Sequence, residues 1–136
     1  LISNIGNVFQ ALVARNGDWR PLVADAEAEA RRVLDAAGIG YISEAEETAA
    51  RAAGFTMKSV TGVPASVGGS TWQSLQRGTG NIETDYLNGE IAMIAHRAGM
   101  AAPINERLAI LARRAAAAGA KPGEMSAGQL AALLPR

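Results

Sequence analysis

Apolar residues recur along most of this chain at intervals of three and four, the spacing of one face of a helix. Leu22, Ala26, Ala30, Val33 and Ala37 form one such stripe. Asp18 stands ahead of it as a cap, Pro21 sits near its first helical position, and Gly38 and Gly40 stop it. Ile104, Leu108, Leu111 and Ala115 form a second stripe, opened by Pro103. Leu87, Ile91, Ile94, Ala95 and Ala98 form a third, in a helix capped by Asn81 and ended by Gly99. Two capping-box spacings mark further helix starts: Ser43 with Glu46, for a helix ending near Gly54, and Ser126 with Gln129, for a short terminal helix. The stretch "STWQSLQRG" predicts another short helix. The opening "LISNIGNVFQALVA" predicts the C-terminal part of a helix, closed by the Asn-Gly turn in "RNGDW". Residues 55–69 are the least regular part, and "GAKPGEM" reads as a turn. The sum is about seven helical segments without a convincing strand, an all-α domain spanning residues 1–136 with no internal repeat.

Composition agrees and excludes several functions. Alanine is abundant while aromatic and β-branched residues are sparse, which favours helix. Thirteen basic residues balance thirteen acidic ones, so the chain lacks the basic excess expected of a nucleic-acid or anionic-membrane surface. No apolar run approaches the ~20 residues of a membrane span, and no signal peptide is visible. The absence of cysteine removes disulfides, thiolate nucleophiles and thiolate metal sites, and fits a cytoplasmic protein. With His96 as the sole histidine, neither a His-pair metal site nor a Ser-His-Asp triad can be assembled, and no metal site is expected. His96 reads as a surface or capping residue late in its helix. The acidic-then-basic runs 27–32 and 43–51 read as solvated helix faces, with pairs such as Glu27 and Arg31. "GTGNIE" imitates the start of a dinucleotide fingerprint, but its last glycine is replaced by Glu83 and no apolar strand precedes it.

Three features are candidates for chemistry, each with a structural alternative. Asn4 and Asn7 stand about one turn apart in an apolar segment. They either tie helix ends together or line a site for a polar ligand. Ser70 and Thr71 follow two glycines at a helix start, where hydroxyls and backbone N–H groups cap the helix or hold an anion. Glu83 falls in the first turn of the predicted helix, in line with Leu87 and Ile91. There it is either a dipole partner or a functional carboxylate facing a cleft. Asp85 and Asn88 fall elsewhere on the wheel and need no special role.

"GGSTWQSLQRGTGNIETDYLNGEI", followed by "AHRAGMAAPINERL", resembles the C-terminal domain of ketopantoate reductases. The matching parts are Ser70-Thr71, Glu83 through Gly89, and Gly99 through Asn105, with "LISNIGN" resembling the segment that begins that domain. The resemblance implies a helical substrate domain of the 6-phosphogluconate dehydrogenase C-terminal-like type. It also implies an N-terminal Rossmann domain, absent from this chain, that carries NADP and closes the cleft. The implied reaction is NADPH-dependent reduction of ketopantoate, a small 2-keto acid, to pantoate on the route to pantothenate and coenzyme A. Carried over by position, Glu83 is the catalytic and cofactor-contacting acid. Asn4, Ser70 and Thr71 bind substrate, as do Asn7 and Asn16 by looser matches. The catalytic lysine falls immediately before Leu1, whose place at the start of the chain instead of Met puts the domain inside a longer protein. A homodimer is compatible with the family. This sequence departs from the pattern at Val8, where a second asparagine is expected, at Ser-Thr-Trp in place of Ser-Ser-Met, and at Thr84 in place of Ile. The competing expectation is a non-catalytic helical module for interaction or dimerisation, in which Asn4, Thr71 and Glu83 share no pocket.

Overall fold

The computed structural model describes residues 2–54, 69–78 and 87–135. Among them are a 3-10 helix, Ile2–Asn4, and seven α-helices: α1 (Asn7–Leu12), α2 (Arg20–Ala36), α3 (Glu44–Gly54), α4 (Ser70–Arg77), α5 (Asn88–Arg97), α6 (Pro103–Ala117) and α7 (Ala127–Leu133). The fold is all-α. The sole β-type pairing among the described residues is an isolated bridge between Val13 and Met125. No described helix is long and apolar enough to cross a membrane.

The short α1 is the centre of the molecule. Ile5, Val8, Phe9, Ala11, Leu12 and Val13 are all buried, so this segment is apolar nearly all round, as a fully enclosed helix must be. Helices α4 and α6 pack on it, and α2 and α5 pack on α6 and on each other, joining Ala26, Ala30, Val33, Leu75, Ile91, Ala95, Leu108 and Ala112 to one core with Leu130 of α7. The alanines let helix axes approach closely. The C-terminal segment is tied to the end of α1 by backbone bonds: Gly123 N to Ala11 O (2.8 Å), Ala14 N to Met125 O (2.8 Å) and Met125 N to Leu12 O (3.1 Å).

Local signals explain most element boundaries. Ser126 accepts from the Gln129 N–H while Gln129 accepts from the Ser126 N–H, the reciprocal capping box expected of α7. Ser43 and Glu46 do the same for α3, at 3.2 and 2.7 Å. The Glu27–Arg31 pair forms at 3.1 Å, and His96 is exposed in the last turn of α5.

Other expectations are corrected. The opening segment is not one continuous helix. A 3-10 turn closed by Ile5 N to Ile2 O is followed by Gly6 as the N-cap of α1, since glycine weakens helix continuation. Asp18 does not cap α2. Trp19 holds the N-cap position, and Asp18 pairs with Arg20 at 2.9 Å, which draws its carboxyl below the ordinary value. The third stripe is shorter than predicted. Leu87 is the N-cap of α5, with non-helical ψ of −86°, so the helix begins at Asn88, and Ala98 is exposed beyond its end. The proposed cap Asn81, together with the irregular stretch 55–68, lies outside the described residues. Finally, the run 27–32 is not wholly a solvated face, because Glu29 within it is buried.

Candidate functional site

The N-terminal end of α4 lies against α1, and this contact brings together side chains 63 residues apart in the chain. Asn7 and Gln10 are one turn apart on α1 and face the entry to α4. Gln10 Oε1 accepts the Gly69 N–H at 3.0 Å, supplying a partner that α4 lacks from its own N-cap. Asn7 Nδ2 donates to Ser70 Oγ in a long contact of 3.5 Å. Gly69 makes this approach feasible: a Cβ there would stand 2.7 Å from Asn7 Oδ1 and 2.8 Å from its Cγ, closer than real Cβ contacts allow.

Thr71, the next residue on α4, is fully buried, and its Oγ1 has no hydrogen-bond partner among the described residues. A hydroxyl withdrawn from water and left unpaired costs about 1–3 kcal/mol, so its presence calls for a reason other than packing. Trp72 turns the other way and stacks under the Arg15 guanidinium, 5.3 Å from the ring centroid. This aromatic–cation contact closes α4 onto the end of α1.

The remaining predicted residues are placed differently. Asn4 is exposed at the end of the 3-10 helix, three residues before Asn7. Asn16 is exposed in the turn beyond the C-terminal end of α1, the end opposite Asn7, and is not brought to the Asn7–Ser70 contact. Glu83 lies outside the described residues. A separate cleft of about 210 Å3, lined by Ile2, Ser3, Glu27, Arg31, Ile42, Glu47 and Thr48, contains none of the predicted site residues.

A buried polar network was not anticipated. Helix α6 begins after Ala102, which offers no capping side chain. Glu29 of α2 substitutes for one: its carboxylate accepts the N–H groups of Ile104 (3.1 Å) and Asn105 (2.9 Å) at the positive end of α6. Asn105 Nδ2 donates to Glu29 Oε1 and to Ala26 O, both at 3.0 Å. Asn105 Oδ1 then accepts from Asn88 Nδ2 at 3.0 Å. Three helices, α2, α5 and α6, are thus joined through side chains 2%, 0% and 0% exposed. The wheel reading of Asn88 as a residue without a role is overturned. One clue was legible: Glu29 falls between Ala26 and Ala30–Val33 on the apolar stripe, while Asn105 stands two residues after a helix-opening proline.

A family model described as the ketopantoate reductase PanE/ApbA C-terminal domain matches residues 3–116. No curated protein and no solved structure matches the chain.

Proposed function

The chain belongs to the ketopantoate reductase C-terminal family, and we propose that it is the substrate-side helical domain of an NADPH-dependent 2-keto acid reductase that converts ketopantoate to pantoate. The observation that carries this reading is the partnerless buried hydroxyl of Thr71 beside the Asn7–Ser70 contact. That hydroxyl falls where the family resemblance places a substrate-binding residue. Hydroxyl and carboxamide groups meet at the start of α4, the chemistry that would hold a small polar acid. The family resemblance assigns the nucleotide to a Rossmann domain.

NADPH, when bound there, supplies the hydride. The keto carbon would accept it, and the lysine that the resemblance implies would give the proton to the resulting alkoxide. This chain's own groups bind and orient. Thr71 Oγ1 donates a hydrogen bond to the substrate carboxylate or hydroxyl, with Ser70, Asn7 and Asn4 aligning the rest of the molecule. Glu83 holds the lysine or a substrate hydroxyl by hydrogen bonding, and its replacement by alanine lowers kcat/KM by about 10²-fold or more, as for a positioned acid–base group.

The substitution Thr71→Val in the two-domain protein tests the reading. Valine keeps the shape and removes a hydroxyl that does nothing for stability. The expected result is a kcat/KM for ketopantoate lowered by roughly 10-fold or more, the scale of a lost substrate hydrogen bond, with Tm unchanged or raised. Unchanged kinetics would remove Thr71 from the site and favour the non-catalytic module.

A further inference from the structure

A cavity of about 400 Å3 opens where the end of α1, helix α4 and the turn between α6 and α7 meet. Its polar lining is Gln10 and Arg15 from the α1 segment, Gln76 from α4 and Lys121 from the turn, set around the Trp72 ring and Pro122. Two of these groups are cations, and no carboxylate side chain among the described residues lines the space. The chain as a whole carries no excess charge, so this pairing of cations is local. The cleft lined by Glu27, Arg31 and Glu47 is the contrast, because its guanidinium is answered by Glu27 at 3.1 Å.

Acceptors near the cavity are already committed. Glu124, three residues after Lys121, turns its Oε1 to the Lys121 backbone N–H at 2.7 Å and does not line the cavity. Free carbonyls at the end of α1 would repel an anion, but those of Ala11, Leu12 and Ala14 accept the N–H groups of Gly123, Met125 and Gly17. Gln10 Oε1 is taken by the Gly69 N–H at 3.0 Å. That fixes the carboxamide and leaves its NH2 as the group Gln10 has to offer. The Arg15 guanidinium is held over Trp72, 5.3 Å from the ring centroid, which spares part of the ordering cost of binding. A concave wall lined by one sign of charge concentrates ions of the other.

We propose that this cavity binds a phosphate monoester of a small molecule, with Arg15 and Lys121 meeting the phosphate and Trp72 and Pro122 the organic part. A phosphate monoester carries about −1.5 to −2 charge at neutral pH, enough to answer two cations, whereas a monocarboxylate answers one. The volume of about 400 Å3 falls within the roughly 300–1,000 Å3 of small-molecule pockets. Neither Thr71 nor Glu83 takes part, so binding here is independent of the reductase reading.

Isothermal titration calorimetry of the two-domain protein with phenyl phosphate tests it, with NADPH saturating so that the nucleotide's own phosphate sites are filled. The expected result is saturable binding, one phenyl phosphate per chain, about 10-fold or more tighter than benzoate, the scale of one charge-assisted hydrogen bond. Lys121→Gln and Arg15→Gln should each weaken it about 10-fold by the same measure, and added salt should weaken it further. Arg97→Gln removes an exposed cation at the end of α5 that does not line the cavity, and it should leave the Kd within about 2-fold of wild type, as a screened charge elsewhere does little. All three side chains are exposed, and circular dichroism checks that each variant is folded. Four results would overturn the proposal: no saturable heat, benzoate binding as tightly, either cavity variant binding like wild type, or an equal loss from Arg97→Gln.

Discussion

Replacing Glu29 by alanine removes the acceptor shared by three donors: the Ile104 N–H, the Asn105 N–H and Asn105 Nδ2. Glu29 is 2% exposed, so water does not simply take its place. Each donor left unpaired costs about 1–3 kcal/mol. Some of that is recovered as water enters the space vacated by the side chain. Asn105 also keeps its bond to Ala26 O. The expected net loss is about 3–5 kcal/mol, the sum for three such donors less what water and Ala26 O return. Against a total stability of about 5–15 kcal/mol, this is a fifth or more of the fold. Glutamine is no remedy, since its NH2 group must face a donor wherever it is turned, and Glu29→Gln is expected to cost about 2 kcal/mol by the penalty of an unpaired group. Equilibrium urea unfolding measures both, with the m-value checked for constancy. Glu27→Ala serves as the control, because the Glu27–Arg31 pair is partly exposed and contributes about 0.3–0.5 kcal/mol as an i,i+4 pair. A Glu29→Ala loss no larger than the control's would refute the claim that this carboxylate caps α6 across the core.

Other expectations follow from single contacts. Gly69→Ala drives Asn7 off Ser70, because the new Cβ and Asn7 Oδ1 cannot share the space; kcat/KM of the two-domain protein should fall while unfolding shifts by about 1–3 kcal/mol, the usual range for overpacking, and full activity would separate Asn7 from the site. Ser126→Ala should cost about 1 kcal/mol, read by urea unfolding, through loss of the α7 capping box. Glu46 accepts the Ser43 N–H, which lowers its carboxyl from the ordinary value of 4.5. The folded-state value lies below the unfolded one, so the contribution to α3 is fully present above the unfolded value and is lost as pH falls through the folded one. Circular dichroism should show helix lost at acid pH in the wild type, with Glu46→Gln flattening that part of the curve.

Elements with their own punctuation were legible in the sequence. The Ser43 and Ser126 boxes, Pro21 and Pro103 at helix starts, and the stripes of α2 and α6 depend on neighbours three or four residues away, and each is found where periodicity placed it. What escaped depends on residues far apart. Glu29 sits in an alternating acidic run that resembles a solvated face, and nothing nearby reveals that the uncapped start of α6, 75 residues on, is its partner. Asn88 looked idle on a helical wheel drawn from Asn81, because the wheel assumed a helix that is first seen at Asn88. Gly6 broke a segment whose apolar character could not distinguish one enclosed helix from two short pieces.

The candidate site was legible in part. Asn7, Ser70 and Thr71 were singled out by residue type, and α1 and α4 bring them to one helix start. Asn16 was offered by a gapped match and stands at the other end of α1. Burial adds what residue type cannot: the Thr71 hydroxyl is enclosed without a hydrogen-bond partner among the described residues.

The most direct test of the central claim is steady-state NADPH oxidation by this domain joined to its nucleotide-binding domain, with ketopantoate as substrate. The account expects saturable, ketopantoate-dependent turnover that Glu83→Ala lowers by about 10²-fold, the scale of a positioned acid–base group. A folded two-domain protein that oxidises NADPH no faster with ketopantoate or any other small 2-keto acid than without would contradict it.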